Sequence, residues 1–268
     1  RARTPNGDID IAAKLVVGAD GRHSRIRTAA KLEVIDLAVP MDVLWLRLSK
    51  KPGDPPLSVG RFDAGRLLVQ IDRGDYWQCA FVITKGSFDA VRERGLEALR
   101  AEIARLAPHL ADRVGELTTW DDVKLLTVAV DRLKRWSKPG VLCIGDAAHA
   151  MSPIGGVGIN LAIQDAVAAA NLLYRPLKRG RVSTDDLDRV QRRRERPTVW
   201  TQFIQVTAQN RVIAPLLAAT GTVSAPLPLR LLQWFPYLRR IPARVIGLGF
   251  RPEHVRTPDD EGTLKSLG

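Results

Sequence analysis

Two short, solidly apolar runs, Leu15-Val16-Val17 and Val141-Leu142-Cys143-Ile144, each run straight into glycine and aspartate, and a long stretch of different character separates them. Apolar runs without alternation that stop at such turn residues read as strands of a parallel sheet, buried on both faces. Between them the pattern changes to "MDVLWLRLS", "GRLLVQID" and "YWQCAFVIT", broken by "KKPGDPP" and "RGD", which is the signature of an antiparallel sheet. A chain that leaves one kind of sheet, builds another and comes back predicts two interleaved domains.

Local signals refine this plan. Leu67–Asp72 and Tyr76–Thr84 flank Arg73-Gly74-Asp75 and predict a hairpin. Ser87 to Ala107 predicts a helix in two pieces meeting at Gly95 and ending before Pro108. "DDVKLLTVAV" predicts one further strand, and from Thr184 the chain reads as helical, punctuated by Pro197, Pro215, "APLP", Pro236 and Pro242.

Composition narrows the function classes. The net charge of +12 comes from arginines spread along the chain, with neither a basic stripe interleaved with aromatics nor zinc-finger spacing, so nucleic acid is not the expected partner. Cys79 and Cys143 sit in apolar stretches and read as buried thiols in a reducing, cytoplasmic setting. No run of about 18 uncharged apolar residues exists, and "RARTPNGD" lacks a signal core, so neither a membrane span nor export is expected.

The second apolar run opens "IGDAAHAMSPIGGVGINLAIQDA", Ile144 to Ala166. In open parallel sheets ligands sit beyond the carboxyl ends of strands, which places Asp146 at a site, where a carboxylate suits the hydroxyls of a sugar or polyol. Gly155, Gly156 and Gly158 remove side chains where backbone must approach a ligand, and the helix that follows aims its free N–H groups back at it. Ile159, Ala162, Ile163, Ala166, Val167, Ala170 and Leu173 keep helical spacing and predict a helix packed deep on that face. Asn160 and Gln164 share a face near its start, within reach of ligand or loop backbone. His149 reads as a satisfied loop histidine and Met151 as packing.

This ordered set, Gly145, Asp146, Ala147, Ala148, His149, Pro153, Gly156, Gly158, Asn160, Asp165 and Ala166, resembles the second flavin-binding motif of the FAD-dependent monooxygenases of the para-hydroxybenzoate hydroxylase type. "GADGRHSRIR" resembles the same family's Asp-Gly-x-x-Ser-x-x-Arg motif through Asp20, Gly21, Ser24 and Arg27. The resemblance implies an α/β fold in which an incomplete FAD-binding, Rossmann-like domain (1–33 and 131–180) interleaves with an antiparallel-sheet substrate domain (34–130), followed by a helical C-terminal region (181–268). It implies that Asp146 holds the ribityl chain, that Pro153 sits by the reacting edge of the flavin, and that backbone at Gly158, Ile159 and Asn160 stabilises charge on the reduced ring. Asp20, Gly21, Ser24 and Arg27 are then FAD and pyridine-nucleotide contacts, with Gly145 and Gly156 completing the cofactor set. The family's opening Gly-x-Gly-x-x-Gly is absent, so the sequence reads as a fragment that binds FAD weakly or not at all without its N-terminal unit.

The activity implied is oxidation of NADH or NADPH, reaction of the flavin with O2 to a peroxide adduct, and hydroxylation of an aromatic, polyketide-like or otherwise lipophilic small molecule. A flavin-dependent reductase or dehydrogenase of the same fold, such as a prenyl-chain reductase, and a non-catalytic fragment stay open as alternatives. No metal cluster or Ser-His-Asp set is needed or evident. Gln70 and Gln78, polar within apolar strands, are the expected substrate contacts. The tail "PLPLRLLQWFPYLRRIPARVIGLGF" is expected to pack over the active site or to form an oligomer contact, since its prolines break the continuous face that a membrane-surface helix needs. "RVQRRRERP" is expected to be a solvated helix face.

Overall fold

The computed structural model describes residues 2–55, 58–221 and 234–258. Two compact units divide the chain: the first comprises Arg1–Leu37, Val130–Ile204 and Leu238–Gly268, the second Ala38–Ala129 and Gln205–Tyr237. In chain order the first unit opens with β1 (Ala2–Thr4), β2 (Gly7–Ile9), β3 (Val16–Gly18), α1 (Arg25–Ala29) and β4 (Val34–Leu37). The second adds β5 (Met41–Ser49), β6 (Val59–Asp63), β7 (Arg66–Asp72), β8 (Tyr76–Thr84), α2 (Phe88–Glu93), α3 (Leu96–Leu106) and β9 (Lys124–Leu126). The chain returns through β10 (Val130–Leu133), β11 (Ser137–Lys138), β12 (Val141–Cys143), α4 (Gly158–Lys178) and α5 (Thr184–Ala208), then gives α6 (Ala214–Ala218) to the second unit and α7 (Arg240–Leu248) to the first.

In the first unit β3 and β12 pair in parallel, Val16 opposite Val141 and Gly18 opposite Cys143, and β11 joins antiparallel on the far side of β12. The parallel pairing follows the expectation, but the burial does not. Val16 and Val17 are 40% and 45% exposed, because β3 is the edge of this three-stranded sheet among the described residues. The core instead gathers behind β12, where Leu142, Cys143 and Ile144 pack with Leu133, Trp136 and Leu173. The inter-unit boundary falls after Leu37 rather than after residue 33, because β4 pairs with β10, Val34 opposite Leu133.

In the second unit a five-stranded antiparallel sheet runs β6-β7-β8-β5-β9. The predicted hairpin is β7 and β8, with Asp72 opposite Trp77. Alternation puts Leu44, Leu46, Trp77, Cys79 and Phe81 on the inner face, where Leu99 and Ile103 of α3 cover them. Gly95 divides the two helices as predicted: at φ +87° it takes a backbone conformation that other residues rarely adopt. "DDVKLLTVAV" is not one strand. Lys124–Leu126 joins β5, whereas Val130–Leu133 joins β4 in the other unit.

Both cysteines are buried and unpaired, and burial pushes their thiols up, Cys79 to about 12 and Cys143 to about 11. Beyond Thr184 the helical reading holds through α5, but Pro197 lies inside that helix rather than breaking it. The region from 181 is not a separate body, since its described parts belong to both units. Residues 222–233, which include "APLP" and the opening "PLPLRLLQ" of the tail, lie outside the described residues.

One buried ion pair ties the second unit together. Arg113 donates to both oxygens of Asp54, at 2.6 and 3.0 Å, and Trp77 Nε1 donates to Asp54 Oδ2 at 2.9 Å. The Arg113 guanidinium, aided by the Lys51 amide and the Trp77 indole and opposed by burial, holds the Asp54 carboxyl well below the usual carboxylate range. A carboxyl depressed by folding stabilises the native state above its unfolded pKa, about 3.9, and that contribution is lost as pH falls toward the folded value. Asp54→Asn is therefore expected to cost about 3–5 kcal/mol at neutral pH and to flatten the loss of stability below about pH 4; urea titrations across that range check both.

Candidate functional site

The site grows from the end of β12. The Ile144 amide donates to the Gly18 carbonyl at 2.9 Å, extending the parallel pairing by one residue. The chain then turns at Gly145, whose φ is +58°, and a Cβ there would lie 2.9 Å from Cβ of Ala162 in α4. Glycine is thus required twice, by conformation and by contact. Past it, the Asp146 carboxylate has no hydrogen-bond or ion-pair partner among the described residues and faces a cleft of about 560 Å³.

Gly21, Gly145 and Asp146 line this cleft together with Pro153, Gly156, Gly158 and Ile159, so most of the second motif and one residue of the first converge on one surface. Gly156 (φ +63°) has nothing within 4 Å of where its Cβ would be, leaving backbone open to an approaching ligand. Helix α4 starts at Gly158 with Val157 as its cap residue and no side chain bonded to its first amides. Those amides and the positive end of a 21-residue helix are available to negative charge.

Other motif residues serve the frame. Asp20 accepts from the Ser24 hydroxyl at 2.5 Å and from the Arg25 and Ile26 amides at 2.8 and 3.2 Å. Burial works to raise its pKa, but the Ser24 hydroxyl and those amides outweigh it and hold it low. Buried Ser24 caps α1 by accepting from the Arg27 amide, and Arg27 pairs with Asp131 at 3.2 Å. Asp131 in turn accepts from the Ala150 amide, which fastens the first motif to the loop of the second.

Of the two roles open to the Asn160 side chain, ligand or loop backbone, it takes the second: it donates to the carbonyls of Ile246 and Gly247 and does not line the cleft. Gln164 donates likewise to the Leu248 carbonyl, so the end of α7 packs against the start of α4, beside the cleft. The buried face of α4 is Leu161, Asp165, Ala168, Ala169 and Leu173, whereas Ile159 and Ile163 are 68% and 56% exposed. The sequence has the right helix in the wrong phase, because alanine on both sides leaves two apolar stripes and the polar Asp165 belongs to the inner one. By length and mean hydropathy the stretch Ile154–Lys178 would also cross a membrane. Its fully buried Asp165, bonded to Arg194, His149 and the Gly145 amide, instead marks a packed helix with an internal charge to satisfy.

Gln70 and Gln78 lie in the second unit and face opposite ways. Gln70 stands opposite Cys79, so it points into the core, where it is fully buried between Arg61 and His109. It is removed as a substrate contact on that ground. Gln78 faces the other way, stands opposite Ile71 and accepts from Arg73 at 2.9 Å. Sequence reading missed Asp131, Arg194 and Gln202, the last of which donates to the carbonyls of Asp131 and Ala150. "RVQRRRERP" is solvated at Arg189, Arg192 and Arg196, but Arg194 within it is completely buried.

Residues 1–205 match the family described as FAD binding domain. The chain belongs to that FAD-binding family. It is 36% identical over 244 residues to 6-methylpretetramide 4-monooxygenase of Streptomyces rimosus, covering 88% of this chain and 56% of that protein. OxyS anhydrotetracycline hydroxylase from the same organism shares the fold, with a TM-score of 0.66 at 21% identity over 97% of this chain and 54% of the other. PqsL of P. aeruginosa, solved with 2-aminobenzoylacetate, aligns at TM-score 0.61 and 26% identity over 76% of this chain and 56% of the other. The chain spans about half the length of the relatives it matches.

For a member of this FAD-binding family, the residues present fit one end of the cofactor. An unpartnered carboxylate at a strand end suits polyol hydroxyls, and a helix start without a side-chain cap suits a ring that takes on negative charge. Gly145→Ala is expected to lower the stability of the first unit by about 1–3 kcal/mol, measured by chemical denaturation, because both the backbone angle and the Ala162 contact must give.

Proposed function

We propose that this chain carries the flavin-ring and ribityl side of an FAD-dependent monooxygenase that uses NADH or NADPH and O2 to hydroxylate an aromatic or polyketide-like small molecule. The observation that carries the reading is Asp146: an ionisable side chain without a partner among the described residues, at the end of a parallel strand, in a cleft lined by four glycines and the start of a long helix. When bound, the flavin supplies hydride acceptance and oxygen activation.

The chain's own residues supply the setting. Asp146 accepts hydrogen bonds from ribityl hydroxyls and so fixes the ring's position along the cleft. The free amides at the start of α4, from Gly158 and Ile159 onward, would stabilise negative charge on a bound ring without reorganisation, because the helix is already anchored. Pro153, which lines the cleft, would offer a bound ring an apolar surface without a competing N–H. Met151 and Ile159 keep water from the ring. On the sheet of the second unit, Gln78 is the substrate contact under this reading.

Two measurements test it on FAD-loaded, natural full-length protein. With labelled O2 and a polycyclic phenol, the product is expected to gain one labelled oxygen while NAD(P)H is consumed. Hydride consumption with an unlabelled, reduced product would assign a reductase instead, and no bound flavin at all would leave a non-catalytic module. Asp146→Ala is expected to weaken FAD binding by about 10- to 100-fold, the range for a hydrogen bond to a charged group, followed by quenching of flavin fluorescence.

A further inference from the structure

Arg194 lies outside the cleft, yet each of its three guanidinium nitrogens donates a hydrogen bond. Nε donates to Asp165 Oδ1 at 3.0 Å, Nη2 to Gln164 Oε1 at 2.9 Å and Nη1 to the Arg251 carbonyl at 2.7 Å, with Glu253 Oε1 3.5 Å from Nη1. The other oxygen of Asp165 accepts from the Gly145 amide at 3.0 Å and meets His149 Nε2 at 2.6 Å. Since an ionised carboxylate only accepts, His149 donates from Nε2. Its Nδ1 then faces inward without a partner among the described residues, as does Trp136 Nε1, the two rings lying 5.0 Å apart. The path is continuous: C-terminal strap, Arg194, Asp165, Gly145 amide, and then Asp146.

We infer that Arg194 is a positioning residue for the flavin site, which through Asp165 sets the Gly145–Asp146 turn, and that the strap Leu248–Glu253 belongs to the same device. The inference rests on the reading of Asp146 as the ribityl contact. A planar fork is what the geometry requires, because one group must reach a carboxylate, an amide oxygen and a backbone carbonyl in different directions, and a lysine ammonium in that place keeps the charge but cannot span all three. Partners behind a ligand-binding group hold it within a fraction of an ångström of its working position. Gln164 pins the strap along α4 at the Leu248 carbonyl, and the residues on either side of it are held by Asn160, through the Ile246 and Gly247 carbonyls, and by Asn171, through the His254 carbonyl and the Arg256 amide.

The test uses natural full-length protein with Arg194→Lys, Arg194→Met and Asp146→Ala, and reads three quantities. These are amide hydrogen exchange at Gly145, FAD affinity, and exchange in helix α3 of the other unit as a control. For Arg194→Lys, Gly145 exchange is expected to quicken at least tenfold and the FAD Kd to rise about 10- to 100-fold, as when outer partners of a ligand group are lost, with α3 unchanged; Arg194→Met is expected to exceed it. Should Arg194→Met fail to fold, Arg194→Lys decides alone. Gly145 exchange at the wild-type rate in Arg194→Lys overturns the inference, and so does faster exchange with an unchanged Kd. An Asp146→Ala protein with wild-type FAD affinity would sink the cofactor reading by itself, while Gly145 exchange would still decide whether Arg194 sets the turn.

Discussion

The first unit depends on one fully buried carboxylate. Asp165 sits on the inner face of α4, where a bare charge would be prohibitive, and three donors from different parts of the chain make it tolerable: the Gly145 amide, His149 and Arg194. A hydrophobic residue there would pack as well or better, since buried ion pairs seldom add net stability. What the charge adds is a fixed register. Sliding α4 by a turn along its apolar stripe would leave Asp165 and Arg194 unpaired, so the helix start can occupy one place relative to the turn that carries Asp146.

The second unit solves a similar problem by different means. Its sheet is held by alternation and by the helical layer over Leu99 and Ile103, and its buried pair, Asp54 with Arg113, clamps loops rather than a helix. The clamp also engages Trp77 of the hairpin, so the ends of the sheet are fixed by charge where the middle is fixed by apolar packing. Gln70 follows the same economy: a polar residue forced inward by strand register is satisfied by Arg61 and His109 instead of being exposed.

The strands, the hairpin, the helix break at Gly95 and the turn at Gly145 were legible because each is decided within a few residues, by period, by turn chemistry or by the need for positive φ. What stayed hidden depends on partners far along the chain. Arg194 reads as solvated because arginine nearly always is, and its partner Asp165 lies 29 residues earlier on another helix. Lys124–Leu126 and Val130–Leu133 carry one apolar pattern, yet their hydrogen-bonding partners lie in different sheets, which no local period can reveal. The phase of α4 was ambiguous for a related reason: in an alanine-rich helix the packed side is chosen by what stands opposite.

The two flavin-type motifs divide their labour unequally. In the second, the residues that resemble cofactor contacts do face the cleft, with Asn160 the exception. In the first, Asp20, Ser24 and Arg27 build the end of β3, the start of α1 and the link to Asp131, and only Gly21 reaches the cleft. The Asp-Gly-x-x-Ser-x-x-Arg pattern thus has an architectural role here: the aspartate organises the turn, the serine caps, and the arginine crosses to Asp131 on β10. That link makes the geometry of one motif a condition for the other. A charge-removing change at Arg27 would act on the cleft from behind, through Asp131 and the Ala150 amide.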